Sequence, residues 1–203
     1  MPPHFLATFL TLNYTHNYMI RIIVGITGAS GAIYGVRALA ALQNLGVETH
    51  LVVTPAGITT LRQELDMEME ALRTLAACVY DAQDFGAPIA SGSFVTQGML
   101  VAPCSIKTLS AIAHSYADNL LVRAADVALK EGRPLLLAVR ETPLHLGHLR
   151  LMVQAAENGA IIFPPVPAFY DHPTTLEEVV ERTVGRMLAR LGIANDLFAP
   201  WGM

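Results

Sequence analysis

Charge and cysteine are both scarce in this chain. Only 15% of its 203 residues are Asp, Glu, Lys or Arg, while 53% are hydrophobic. A lone protomer would have too few polar side chains to cover its surface, so the composition favours a homo-oligomer. Two cysteines, Cys78 and Cys104, belong to no paired or C-x-x-C framework, which excludes a disulfide scaffold and suits the reducing cytoplasm. No run of about 18 uncharged apolar residues is present, so no membrane span is expected. Positive charge is also in deficit, with 13 Lys and Arg against 17 Asp and Glu. That balance lacks the basic footprint of a nucleic-acid-binding domain. The first twenty residues contain neither a Lys or Arg nor the small-residue cleavage site of an export signal. Residues 1–18 are therefore read as a poorly ordered N-terminal extension ahead of a single domain spanning 19–203.

From Arg21 onward, strand and helix signals alternate. The runs "RIIVGI", "ETHLVVT", "GMLVAP", "RPLLLAV" and "AIIFP" are apolar and β-rich. Between them lie helical patterns over 31–46, ending at Gly46, then over 58–65 and 68–77, from "CSIKTLSAIA", over "NLLVRAADVALKEG" and over 147–158. A last helix is expected over 174–191. Residues 78–98, punctuated by Gly86, Pro88, Gly92 and Gly98, read as a long loop of the kind that is usually functional. Continuous Val/Ile/Leu runs mark strands buried on both faces. The expected fold is a three-layer, doubly wound α/β domain with a mostly parallel sheet, Rossmann-like or flavodoxin-like, whose ligands sit at the carboxyl ends of the strands.

Those strand ends carry the candidate chemistry. Around the end of the first strand, "IIVGITGASGAIYG" at 22–35 places glycines at 25, 28, 31 and 35, which is not the G-x-G-x-x-G spacing of a dinucleotide turn. Free backbone N–H groups and the helix dipole there favour a phosphate; a tight packing turn explains the same glycines. The second strand ends at Thr54, and the third runs into Ser105, Lys107 and Thr108. N-capping accounts for Ser105 and Thr108 singly, but not for polar residues recurring at successive strand ends. Together they suit a mononucleotide, and no acidic residue closes the second strand to hold a dinucleotide ribose, so FMN fits better than NAD. The next strand ends in Arg140 and Glu141. Further cations are Arg123 and Lys130, seven apart on one helix face, and Arg186 on the last helix. His145 and His148 lack a third and fourth partner, and no metal is expected.

Seven stretches in order, "GITGASGAIYGVRAL", "ASGSF", "APCSIKTLSAIA", "DNLLVRAADVALKE", "PLLLAVRETPLHLGHL", "GAIIFPPVPAFY" and the terminal "WG", resemble the flavin prenyltransferase family (UbiX type) over nearly the whole chain. The resemblance implies prenylation of reduced FMN, as substrate, by dimethylallyl monophosphate, first at N5 and then closing a ring at C6. The prenylated FMN would serve a UbiD-type decarboxylase, with a link to ubiquinone biosynthesis, and the assembly would be a trimer-based dodecamer. By the same likeness, Gly28, Ala29, Ser30, Thr54, Ser105, Ile106, Lys107, Thr108 and Arg140 would hold FMN. Arg123, Lys130, Arg140, Tyr170 and Arg186 would surround the prenyl phosphate, some of them arriving from neighbouring subunits. Ser30, Glu64, Lys130, Glu141 and Tyr170 would form the catalytic set, with Trp201 near the site. Thr54-Pro55 stands where many relatives have Ser-Lys, which puts the neighbouring contact in question. Two alternatives share the fold or the flavin: an FMN-dependent cysteine-type decarboxylase and a non-catalytic flavin carrier. The first is disfavoured because no His falls between His16 and His50, and the second because the phosphate-site cations are present.

Overall fold

A computed structural model describes residues 19–199 and Gly202; the extension at 1–18 and Trp201 lie outside the described residues. Six strands form one sheet in the order β3-β2-β1-β4-β5-β6, and every pairing is parallel. They are β1 (Arg21–Ile26), β2 (Glu48–Val53), β3 (Cys78–Tyr80), β4 (Gly98–Cys104), β5 (Leu135–Val139) and β6 (Ile161–Ile162). Central strands are apolar throughout because helices cover both faces: all seven residues of β4 and all five of β5 are buried.

On one face lie α1 (Ala32–Asn44), α2 (Pro55–Leu65), α3 (Met69–Arg73) and α7 (Leu176–Arg190), with Leu39, Leu61, Leu72 and Val184 in a shared core. The other face carries α4 (Ile106–Ala113), α5 (Leu120–Lys130) and α6 (Leu146–Glu157), packed through Leu109, Leu121 and Ala155. α1 approaches the sheet so closely at Gly35 that a Cβ there would stand 2.3 Å from the Ala102 carbonyl oxygen. The chain winds outward from β1 to β3, then returns to β4 and winds the other way. A crevice therefore opens at the carboxyl ends of β1 and β4, where an open α/β sheet binds its ligand.

Two sequence expectations need correction. Residues 78–98 are not one long loop, since they include the edge strand β3 and a 3₁₀ turn at Pro88–Ala90. Nor does the helix after β2 wait until Ile58. Pro55 opens it at the first helical position, where its missing N–H costs nothing, and Thr54 caps it. Among the described residues no helix is long and apolar enough to cross a membrane.

Candidate functional site

The wholly buried Thr27, one residue past β1, joins the two halves of the sheet. Its hydroxyl donates to the Pro103 carbonyl at 2.7 Å and accepts from the Ser105 N–H at 2.8 Å. Ser105 is thereby fixed as the cap of α4, accepting from the Thr108 N–H at 3.3 Å. Thr54 caps α2 in the same way, accepting from the Gly57 N–H at 3.1 Å. Between these two helix starts is a cavity of about 300 Å³ lined by Gly28, Thr54, Ala56, Ser105, Lys107 and Thr108, with Asp118 and Asn119 at one side. Gly28 packs on α2 so tightly that a Cβ would stand 2.4 Å from that of Ala56. Two helix N-termini, several hydroxyls and the Lys107 ammonium make this cradle fit a phosphate group. Of the residues expected to hold FMN it gathers Gly28, Thr54, Ser105, Lys107 and Thr108. Ala29 is buried beside it, and Ile106 lines an adjoining cleft of about 550 Å³ with Lys107, His145 and His148.

The start of α1 is occupied differently from the sequence expectation. Its amides are not left open for a phosphate, because the Glu64 carboxylate accepts from the Gly31 N–H at 2.9 Å and the Ala32 N–H at 3.0 Å. Nor is the Ser30 hydroxyl free, since it too bonds Glu64. The helix cap is Gly31, at φ 103°, a left-handed backbone that favours glycine. Partial burial pushes the Glu64 carboxyl up. The bonds from Ser30, Gly31 and Ala32, with the Arg140 charge, outweigh it and hold the group below its ordinary range. Arg140 follows β5 and faces Glu64 and the Tyr34 phenol, whose pKa burial raises against the pull of that guanidinium. Glu141 instead accepts from the Thr142 N–H at 3.0 Å, and no ion pair joins it to Arg140 among the described residues. Ser30, Glu64 and the apolar Ile33, Leu65 and Val180 line a second cavity of about 370 Å³. It can hold an anionic proton acceptor beside an apolar group.

The remaining cations stand elsewhere. Arg123 donates through Nε to the Ala90 carbonyl at 3.1 Å and pairs with Asp126 at 2.8 Å. Lys130 pairs with Glu131 and lies beside Gly92, whose Cβ would come within 2.8 Å of its Nζ. α5 runs antiparallel to the strands it connects. Lys130, at its last residue, is therefore carried about 15 Å toward the amino ends of the sheet, away from Ser30 and Arg140. Tyr170 and Arg186 meet in a third place, around a cavity of only about 10 Å³ shared with Phe163 and Phe198. The five residues expected around a prenyl phosphate thus occupy three separate locations in one protomer. His145 caps α6, accepting from the Gly147 N–H at 3.0 Å, and its ring meets that of His148 at a tilt of 37°, 3.6 Å between centroids. No cluster of three metal-ligating side chains occurs among the described residues.

The sequence pattern of the Flavoprotein family matches residues 11–187. Flavin prenyltransferase UbiX of Escherichia coli K12 is 59% identical over 186 residues, covering 90% of this chain and 98% of that protein. The chain belongs to the flavin prenyltransferase family. A crystal structure of AnUbiX (PadA1) in complex with FMN and dimethylallyl pyrophosphate superposes on this member with a TM-score of 0.89. The two are 46% identical, over 91% of this chain and 98% of the other. A dodecameric FMN-dependent UbiX-like decarboxylase from Escherichia coli O157:H7 superposes with a TM-score of 0.84 at 46% identity, over 86% and 96%. Three residues of this flavin prenyltransferase escaped the sequence reading: Thr27, Tyr34 and Arg133. Each acts across 76, 106 and about 40 residues of chain respectively, Thr27 on Pro103, Tyr34 opposite Arg140, and Arg133 on Gly92 and Phe94. No local pattern marks any of them.

Proposed function

We propose that this protein joins the dimethylallyl group of dimethylallyl monophosphate to reduced FMN, at N5 and then C6. The prenylated FMN would pass to a UbiD-type decarboxylase. The observation that carries this reading is the Ser30–Glu64–Arg140 group standing next to a phosphate-fitting cradle at the sheet crevice. Reduced flavin supplies the nucleophilic nitrogen when bound. The starts of α2 and α4, with Lys107, hold its phosphate. Glu64, kept ionised by the bonds it accepts, takes a proton through the Ser30 hydroxyl, and Glu141 offers a second carboxyl for proton return.

Breaking an allylic C–O bond leaves negative charge on the departing phosphate, which Arg123, Lys130, Arg140 and Arg186 stabilise without a metal, with Tyr170 donating its phenol. Lys130, at the far end of α5, stands away from Arg140 in the same protomer, and Arg123 is engaged by the Ala90 carbonyl and Asp126. A neighbouring copy therefore brings them, which makes the homo-oligomer, a trimer-based dodecamer in this reading, part of the site. A cytoplasmic location accords with the two free thiols. The test is direct. Purified oligomer, FMN, a reductant and dimethylallyl monophosphate should yield flavin heavier by one C5 unit, and unchanged flavin with either the monophosphate or the diphosphate would refute the assignment.

A further inference from the structure

Arg133 follows α5 and reaches back across about 40 residues of chain to the loop after the 3₁₀ turn. One arm of its guanidinium donates to the Phe94 carbonyl at 2.7 Å and the other to the Gly92 carbonyl at 2.6 Å. Arg123 takes the Ala90 carbonyl. Three carbonyls spaced two residues apart are thus all held by guanidinium groups, so a slip of the loop by one residue would forfeit every one of these bonds. The far end of the loop is pinned as well. The Phe94 ring lies under the Arg21 guanidinium at 5.3 Å and meets the buried His50 ring edge-on at 4.9 Å. Gly92, in the middle, rests against the side-chain ends of Glu131 and Lys130, which a methyl group there would have to displace.

We infer that Arg133 is a positioning residue for the prenyl-phosphate half-site. It shapes the 90–94 loop, and the loop in turn sets where the Lys130 ammonium and the Arg123 guanidinium stand. The inference rests on the reading above, in which Lys130 and Arg123 bind the prenyl phosphate. Arg133 itself does not touch that phosphate, because both arms of its fork are committed to carbonyls. A planar fork is required: a lysine ammonium reaches one of these carbonyls well and cannot hold both in register.

The experiment measures steady-state kinetics on the intact oligomer at saturating reduced FMN, with dimethylallyl monophosphate varied. Arg133→Met should raise the KM for dimethylallyl monophosphate about tenfold, keep kcat within about twofold and leave FMN affinity unchanged. Arg133→Lys should recover part of the loss, to about a threefold rise. A lowered denaturation midpoint with an unchanged KM would reduce Arg133 to a structural residue and overturn the inference. Should Arg133→Met fail to fold, Arg133→Lys decides alone, and a wild-type KM there overturns it. Lys130→Met separates the two layers. If it raises KM while both Arg133 variants do not, only the positioning role falls; if it leaves KM unchanged, the phosphate reading falls and the inference with it.

Discussion

At the starts of α2 and α4 the capping bonds are short in sequence: Thr54 accepts from the Gly57 N–H and Ser105 from the Thr108 N–H, with the buried Thr27 tying in Pro103 and Ser105 from across the sheet. From α5 and the turn after it, the bonds to the 90–94 loop are long, with Arg123 and Arg133 holding carbonyls 33 to 41 residues away. The first region is built from backbone N–H groups and hydroxyls that converge on a cavity. The second is built from guanidinium groups that grip a loop from behind. A cradle of local caps persists as long as its helices persist, whereas a gripped loop can be displaced while the fold around it stays intact. Damage at the cradle should therefore cost stability and FMN binding together, and damage at the α5 flank should cost prenyl-phosphate use with little loss of stability.

Gly35→Ala is the strongest test of the cradle side. The new Cβ would meet the Ala102 carbonyl at 2.3 Å and Ile26 at 2.7 Å, and a backbone oxygen inside a central strand cannot yield. Overpacking of this kind costs about 3 kcal/mol, read from urea denaturation, and FMN retention should fall with it. Thr27→Val keeps the shape but strips two buried partners, the Pro103 carbonyl and the Ser105 N–H. A loss of about 2 kcal/mol is expected, with FMN affinity reduced and the KM for dimethylallyl monophosphate unchanged at saturating flavin. An FMN titration matching wild type would remove Thr27 from the cradle.

Gly92→Ala probes the other side. Its Cβ would strike Glu131 Oε1 at 2.1 Å and Lys130 Nζ at 2.8 Å, but both are the far ends of flexible side chains and can move. Stability should fall by less than about 1 kcal/mol, while the prenyl donor's KM rises and FMN affinity holds. A KM change with no stability change here, beside the opposite result at Gly35, would make the contrast sharp; equal effects at both would dissolve it.

The smallest effect concerns pH. The folded Glu64 carboxyl lies below its ordinary value of 4.5, so its stabilising contribution is complete above that value and is lost as pH falls through the lower, folded one. The group is exposed, and after allowance for solvent screening the contribution is about 0.5 kcal/mol. Relative to the intrinsic exchange rate at each pH, the protection of the Gly31 and Ala32 amides should fall as pH drops below 4.5, and Glu64→Gln should abolish that change.

The same contrast explains what could be read in the sequence. Apolar runs such as "PLLLAV", the glycine stop at Gly46 and the hydroxyls before α2 and α4 are local signals, and the sheet, the helices and the phosphate cradle follow from them. β3 was illegible because three residues, "CVY", carry no periodicity of their own and pair only at the sheet edge. Pro55 signals equally the end of a strand and the first turn of a helix. Glu64 meets the α1 amides from 32 or 33 residues away, and a seat of that kind depends on how α2 folds back over α1. Resemblance to a family named Glu64, Lys130 and Arg186 as functional. Only the fold shows that they stand in separate places.

The carboxylate seated on the start of α1 has one further effect. An internal group cannot be diluted away or outcompeted by a weak binder, so that helix end is filled at any concentration of free phosphate. In the proposed reaction, inorganic phosphate released turn after turn would find no vacancy beside Ser30. In this way the carboxylate to which the proposed mechanism gives the protons would also keep anions from collecting beside Ser30.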